Sequence, residues 1–207
     1  CSTRLNSREV VFCFCTVNYY IKYPNIFWGK LVLFGIIKAN GIQKMQNTIT
    51  YVFIDGNNLH LGAKSQGIEL DYRKLRLYLT HKFNAKKAFI FIGYDPDRTY
   101  TYSRLVDAGF TLIHKPTVIY HESGKRQMKG NVDAELVLHA AAIEYDNYDK
   151  AIVFTSDGDF TCLFNYLAGK GKLERIITPT KFYSSLFQPL ASYVLPLKRI
   201  AKMIQKN

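Results

Sequence analysis

Cysteine is scarce in this chain and badly placed for a metal-binding module. Three of the four, Cys1, Cys13 and Cys15, fall within the first 44 residues, and Cys162 stands alone in the rest. No second Cys pair and no His pair completes a zinc spacing, which argues against a structural zinc site. The lone Cys162 suits a domain of a reducing compartment. Glycine-rich phosphate loops are missing as well: neither GxxxxGK[ST] nor GxGxxG follows the first predicted strand, which disfavours nucleoside triphosphatase and dehydrogenase readings. Ser156 has no histidine at a suggestive position, so serine-hydrolase chemistry finds little support. The apolar stretches near the start are shorter than a membrane span requires. From Thr48 onward there are no repeats and no low-complexity segments.

Acidic residues are in the minority, 16 against 28 Lys and Arg, for a net charge of +12. The hydrophobic fraction of 48% supports a real core, and the 207 residues suffice for one domain, with or without an extension. Charge is unevenly spread, +5 over residues 1–44 and +7 over residues 45–207. A basic domain that still gathers a tight acidic cluster suits a metal-dependent enzyme acting on a polyanion.

The chain starts with Cys1, and its first methionine is Met45. Residues 10–37 are rich in Val, Phe, Tyr, Ile and Cys without steady periodicity, and Lys22, Pro24 and Lys30 interrupt them. We read residues 1–44 as upstream sequence carried into a conceptual translation, with a membrane-associated leader as the alternative. Residues 45–207 are read as the domain proper, cytoplasmic and without a membrane contact.

Within it, Thr50–Ile54 reads as a strand ending at Asp55, with Gly56-Asn57-Asn58 as a turn. Leu70 to His81 has helical leucine spacing and Asp71 as cap. Residues 88–92 form a second strand, 98–108 a short helix closed by Gly109, and 110–114 a third strand. His121 to Gly130 is polar and basic, and reads as a loop. Val132 to Tyr145 reads as one long helix, Ala151 to Phe154 as a fourth strand, Phe160 to Leu167 as a helix and Arg175 to Thr178 as a fifth strand. The tail from Tyr183 to Gln205 reads as helical, broken near Pro189 and Pro196. Strands alternating with helices predict a three-layer α/β domain with a mainly parallel sheet.

In such a fold ligands bind at the C-terminal tips of the strands. The run Thr155-Ser156-Asp157-Gly158-Asp159-Phe160, directly after Ala151–Phe154, delivers two carboxylates to one tip. Taken alone, it fits a metal site or a capped strand-to-helix turn equally well. Asp55 ends the first strand, and Asp133 sits in the first turn of a helix, where the helix dipole alone favours a carboxylate. Asn58 is placed to hold a water or a phosphate, or simply to cap a turn. The metal reading gains from four carboxylates at element termini that the topology can gather, and hard cations such as Mg²⁺ or Mn²⁺ prefer oxygen ligands.

The blocks Asp55-Gly56-Asn57-Asn58-Leu59, Lys129-Gly130-Asn131-Val132-Asp133 and Ser156-Asp157-Gly158-Asp159-Phe160 resemble, in order and spacing, the signature blocks of the NYN domain. That family is a LabA-like branch of the PIN-like nuclease superfamily, and the resemblance spans about residues 48–200. It implies a PIN-like Rossmannoid fold, with Asp55, Asp133, Asp157 and Asp159 as the acidic metal-binding set. It also implies a ribonuclease using Mg²⁺ or Mn²⁺. Two departures stand out: His139 occupies a position where many members carry a further Asp, and Asn131 is an extra residue before the Val-Asp pair.

The chemistry expected is hydrolysis of RNA phosphodiesters, endonucleolytic, with no side-chain nucleophile and no small-molecule cofactor. Lys125, Arg126 and Lys129 are candidates for phosphate contacts, and Asn58 and Ser156 for substrate contacts. Asp95, Asp97 and Arg98 follow the second strand near the same edge, and Asp95 fits turn chemistry around Pro96 better than the rim of the site. Tyr94, Tyr100, Tyr102 and Tyr120 are available to stack on bases. Glu135 and His139 are spaced to pair along a helix. The alternatives are a non-catalytic RNA-binding or regulatory module of the same fold, and a phosphatase acting on small esters. Asn57, two residues after Asp55, weighs against aspartyl-phosphate chemistry. The sequence carries no clear oligomeric signal, and a dimer is compatible with it.

Overall fold

A computed structural model describes residues 48–115, 118–122, 125–129 and 132–206; for 118–122 and 125–129 it describes the backbone. Six strands form one parallel sheet, and a separate antiparallel hairpin stands apart from it. The strands of the main sheet are β1 (Thr50–Asp55), β2 (Ala85–Gly93), β3 (Thr111–Lys115), β6 (Lys150–Phe154), β7 (Leu173–Thr178) and β8 (Val194–Pro196). Their order is β3-β2-β1-β6-β7-β8. The hairpin pairs β4 (Val118–Glu122) with β5 (Lys125–Lys129).

The central strands are apolar because both faces are covered, the pattern expected of a parallel sheet. Every residue of β1 is buried. Side chains alternate between faces with period two. Val52 and Ile54 of β1 join Ile152 and Phe154 of β6 in one core, while Tyr51, Phe53, Ala151 and Val153 line the other. The first core is covered by α1 (Gly56–Ser65), α2 (Tyr72–Phe83), α3 (Thr99–Asp107) and α6 (Leu197–Ile204). The second is covered by α4 (Asp133–Leu138), α5 (Thr161–Gly169) and the 3-10 segment Ser185–Tyr193.

Several sequence expectations change. Gly56-Asn57-Asn58 opens a ten-residue helix rather than only a turn. Its Gly and Asn residues are poor helix formers, but Asp55 caps it by accepting the Asn58 amide at 3.0 Å. Residues 121–130, expected as a loop, include most of a hairpin; Lys-rich β5 has no apolar alternation to announce it. The long helix over 132–145 stops being α-helical at Leu138, and residues His139–Ile143 follow as a π turn. There the Glu144 amide reaches back five residues to the His139 carbonyl at 2.9 Å. The tail breaks at Pro189 and Pro196 as expected, but between them lies the edge strand β8. Asp71 caps α2, and Gly109 follows α3 with φ +90°.

The strand order positions the site. From β1 the chain builds β2 and β3 to one side, then returns to add β6 and β7 on the other. The reversal falls between β1 and β6, and a crevice opens there at the strands' C-terminal ends.

Candidate active site

Asp55, the last residue of β1, stands at that crevice and is only 7% exposed. Burial pushes its pKa up to about 6, against the pull of the Asn58 amide, and the nearby Asp133 raises it further. The Asn57 amide lowers it and Asp157 raises it by smaller amounts. Asp133 opens α4, half-buried. Asp157 follows β6 and caps the turn Gly158–Phe160, accepting the Asp159 amide at 3.0 Å.

Asp133, Asp157 and Asp159 each present a carboxylate oxygen, and these oxygens all lie within 4.8 Å of one another. Asp55 stands outside that triad but borders a cavity of about 590 Å³ with Asn57, Asn58, Thr180 and two of the triad, Asp133 and Asp157; Asp159 is not among the lining residues. Carboxylates packed this closely repel one another unless a cation or proton relieves them. Their all-oxygen donor set matches a hard divalent ion, and among the described residues the cluster is made of aspartates alone. A larger hollow of about 1010 Å³ lies beside α1, α2 and α3, but its acidic residues are otherwise engaged. Asp71 caps α2, and Glu69 pairs with Lys206 at 3.1 Å.

Asn58 and Ser156 hold the crevice together. The Asn58 side-chain oxygen accepts the Ser156 amide at 3.0 Å, and the Ser156 hydroxyl accepts the Thr180 amide at 3.2 Å. The Ser184 amide donates to the Ser156 carbonyl at 3.2 Å. The tips of β1, β6 and β7 are thereby laced together. Gly62 sits where a Cβ would meet the backbone of Pro179 at 2.8–2.9 Å, so α1 lies directly on the chain leaving β7.

Other expected residues fall elsewhere. Asp95 caps the turn Pro96–Arg98 and pairs with Arg98 at 3.3 Å. Glu135 is held not by His139 but by Lys115, at 3.0 Å. His139 packs its ring edge-on against Phe91 at 5.3 Å, leaving its Nδ1 buried without a hydrogen-bond partner. Tyr102 is buried, its hydroxyl bonded to the Gly93 carbonyl and the Asp95 amide; Tyr100 is exposed, with Arg104 over its ring. Lys125, Arg126 and Lys129 lie on β5, where the description covers only backbone, and the side chain of Tyr120 on β4 is likewise outside it. Gly130 and Asn131 lie outside the described residues.

Two contributors were not anticipated. Thr180 borders the cavity, and Lys115, at the end of β3, grips the helix that carries Asp133. Only the position of Lys115 at a strand end hinted at its role. Among the described residues, no helix is long and apolar enough to cross a membrane.

Fold and site together define a PIN-like α/β domain, with carboxylates gathered at the switch crevice of a parallel sheet. The chain belongs to the NYN domain family, whose model matches residues 49–197, and that family generally comprises nucleases. The low amplitude and bright protein LabA of Synechococcus elongatus is 25% identical over 163 residues, covering 75% of this chain and 87% of LabA. A crystal structure of a protein of unknown function from Vibrio parahaemolyticus shares the fold with a TM-score of 0.59 at 21% identity, over 75% of this chain and 96% of that one.

Proposed function

We propose that this domain is a metal-dependent ribonuclease that hydrolyses RNA phosphodiesters endonucleolytically, with Asp55, Asp133, Asp157 and Asp159 holding Mg²⁺ or Mn²⁺. The observation that carries the reading is the packing of three carboxylates within 4.8 Å beside a fourth, buried one, at the switch crevice. A divalent ion bound there supplies positive charge to the phosphate oxygens and lowers the pKa of a water. The aspartates gather the negative charge that retains such an ion. Asn58 and Ser156 fix the spacing of the two central tips, so the carboxylates are held in place before substrate arrives. Lys125, Arg126 and Lys129 are the proposed phosphate contacts.

The test is cleavage of a circular RNA with Mn²⁺ or Mg²⁺, which only an endonuclease can open. Cleavage is expected to require the metal, to stop with EDTA, and to be lost in Asp157→Asn. That variant keeps a side-chain oxygen to accept the Asp159 amide, so its turn is preserved. A folded protein that binds RNA and cuts none with either metal is instead a non-catalytic module.

A further inference from the structure

The segment leaving β7 carries an unusual side chain. Phe182 is 80% exposed, the most exposed large hydrophobic among the described residues, while Phe53, Phe91 and Phe154 are fully buried. The loop around it is pinned rather than loose. The Thr180 amide donates to the Ser156 hydroxyl, the Ser184 amide donates to the Ser156 carbonyl, and the Thr180 hydroxyl donates to the Phe182 carbonyl. Tyr183, itself 41% exposed, stacks on the buried Phe187 at 5.9 Å, which anchors the next residue. The Phe182 ring is therefore held out in water by a braced backbone.

Its position links it to the site. Thr180, two residues earlier, borders the carboxylate cavity. Two residues of chain span at most about 7 Å. Ser156, which braces the loop, directly precedes Asp157. Lys181 places its ammonium 5.1 Å from the Phe182 ring centroid. An aromatic ring with a cation over it suits single-stranded nucleic acid, a base on the ring's other face and a phosphate on the charge.

We propose that Phe182 is a stacking platform for a base of single-stranded RNA next to the cleaved phosphate, with Lys181 contacting the neighbouring phosphate. This rests on the ribonuclease reading and adds to it a strand preference: unpaired RNA, with little discrimination among bases, because every base offers a π-face. A ring with a cation over it, two residues from the rim of a carboxylate cavity, offers a nucleotide a contact for its base and one for its phosphate; Tyr183 and Leu186 are also exposed in the same segment.

The test measures binding without cleavage, in the Asp157→Asn background and in the presence of EDTA. Fluorescence anisotropy with labelled oligo(U) is expected to show about tenfold weaker binding for Phe182→Ala. Phe182→Tyr should restore binding. Competition by inorganic polyphosphate, which has no bases, should be the same for both proteins. An unchanged thermal midpoint for Phe182→Ala establishes that the fold is intact. Equal oligo(U) affinity for the two proteins overturns the platform alone. Absence of RNA binding in both overturns the platform together with the RNA reading. Unchanged RNA affinity with loss of self-association in Phe182→Ala assigns the ring to a protein contact and overturns the proposal.

Discussion

The side-chain oxygen of Asn58 accepts the backbone amide of Ser156 at 3.0 Å, across 98 residues of chain. One amide thus ties the element that follows Asp55 to the element that precedes Asp157. Asn58 also offers its own amide to the Asp55 carboxylate at 3.0 Å. In Asn58→Ala the Ser156 amide loses its partner while remaining part-buried, which should cost about 1–3 kcal/mol. Urea unfolding should show that loss, and Mn²⁺ titration of the folded variant should show weaker binding, because the two tips are no longer held in register. Full metal affinity in Asn58→Ala would remove the positioning role.

Asp55 gives a pH dependence with a definite sign. Its carboxyl titrates near 3.8 in the unfolded chain and at about 6 in the fold, so the folded state holds the proton more tightly. Its contribution to stability is fully present below about pH 4 and is lost as pH rises through 6. The loss is at most about 3 kcal/mol, reduced by relaxation and water entry. With EDTA present, Asp55→Asn should be more stable than wild type at pH 7 and match it near pH 4, since the amide oxygen still accepts the Asn58 N–H. Adding Mn²⁺ should reverse the order at pH 7. Parallel stability curves for the two proteins from pH 4 to 7 would count against a raised Asp55 pKa.

Removing one member of the triad should be felt by the metal before it is felt by the fold. Asp157 and Asp159 are exposed and Asp133 is half-buried, so their asparagine variants keep the surrounding packing. Each should unfold without metal at or above the wild-type midpoint, because a mutual repulsion has been relieved. Each should also lose most of the thermal stabilisation that Mn²⁺ gives the wild type. Differential scanning fluorimetry across a Mn²⁺ series reads both effects. An undiminished Mn²⁺ shift in all three variants would dissolve the proposed ligand set.

Gly62 offers a purely steric test. Its Cβ would meet Pro179 atoms at 2.6–2.9 Å, and two of the three are backbone. Gly62→Ala should therefore push α1 off the segment after β7 and destabilise by about 1–3 kcal/mol, despite alanine's better helix propensity. Thermal unfolding gives the sign, and a stabilised variant would mean that this contact is looser than described.

The sequence revealed most where the physics is local. β1, β2, β6 and β7 are short apolar runs between polar ends, and Asp55 and Asp157 are readable because carboxylates after such runs fall at the sheet edge. It revealed less where tertiary contacts overrule propensity. Helix α1 forms on Gly56, Asn57, Asn58 and Gly62 because Asp55 caps it and Pro179 requires a residue without a side chain at 62. The three-residue strand β8 exists only because β7 offers an edge to pair with. Spacing alone lets either Asp157 or Asp159 cap the turn before the helix; the structure assigns the cap to Asp157. Thr180 and Lys115 matter through partners 24 and 20 residues away, which no local pattern encodes.

The pairing of β1 with β6 at the centre of the sheet, Thr50 against Lys150, has a consequence during synthesis. Asp55 emerges from the ribosome early, but its neighbours at 157 and 159 are made about a hundred residues later. A nascent chain that has not released β6 has half a crevice and no carboxylate cluster, so under the proposed ribonuclease function it would spare the message it is read from. The carboxylates come together only when a long loop has closed and the middle of the sheet is filled, a slow, non-local step. Completion of the fold is thus its own safety catch.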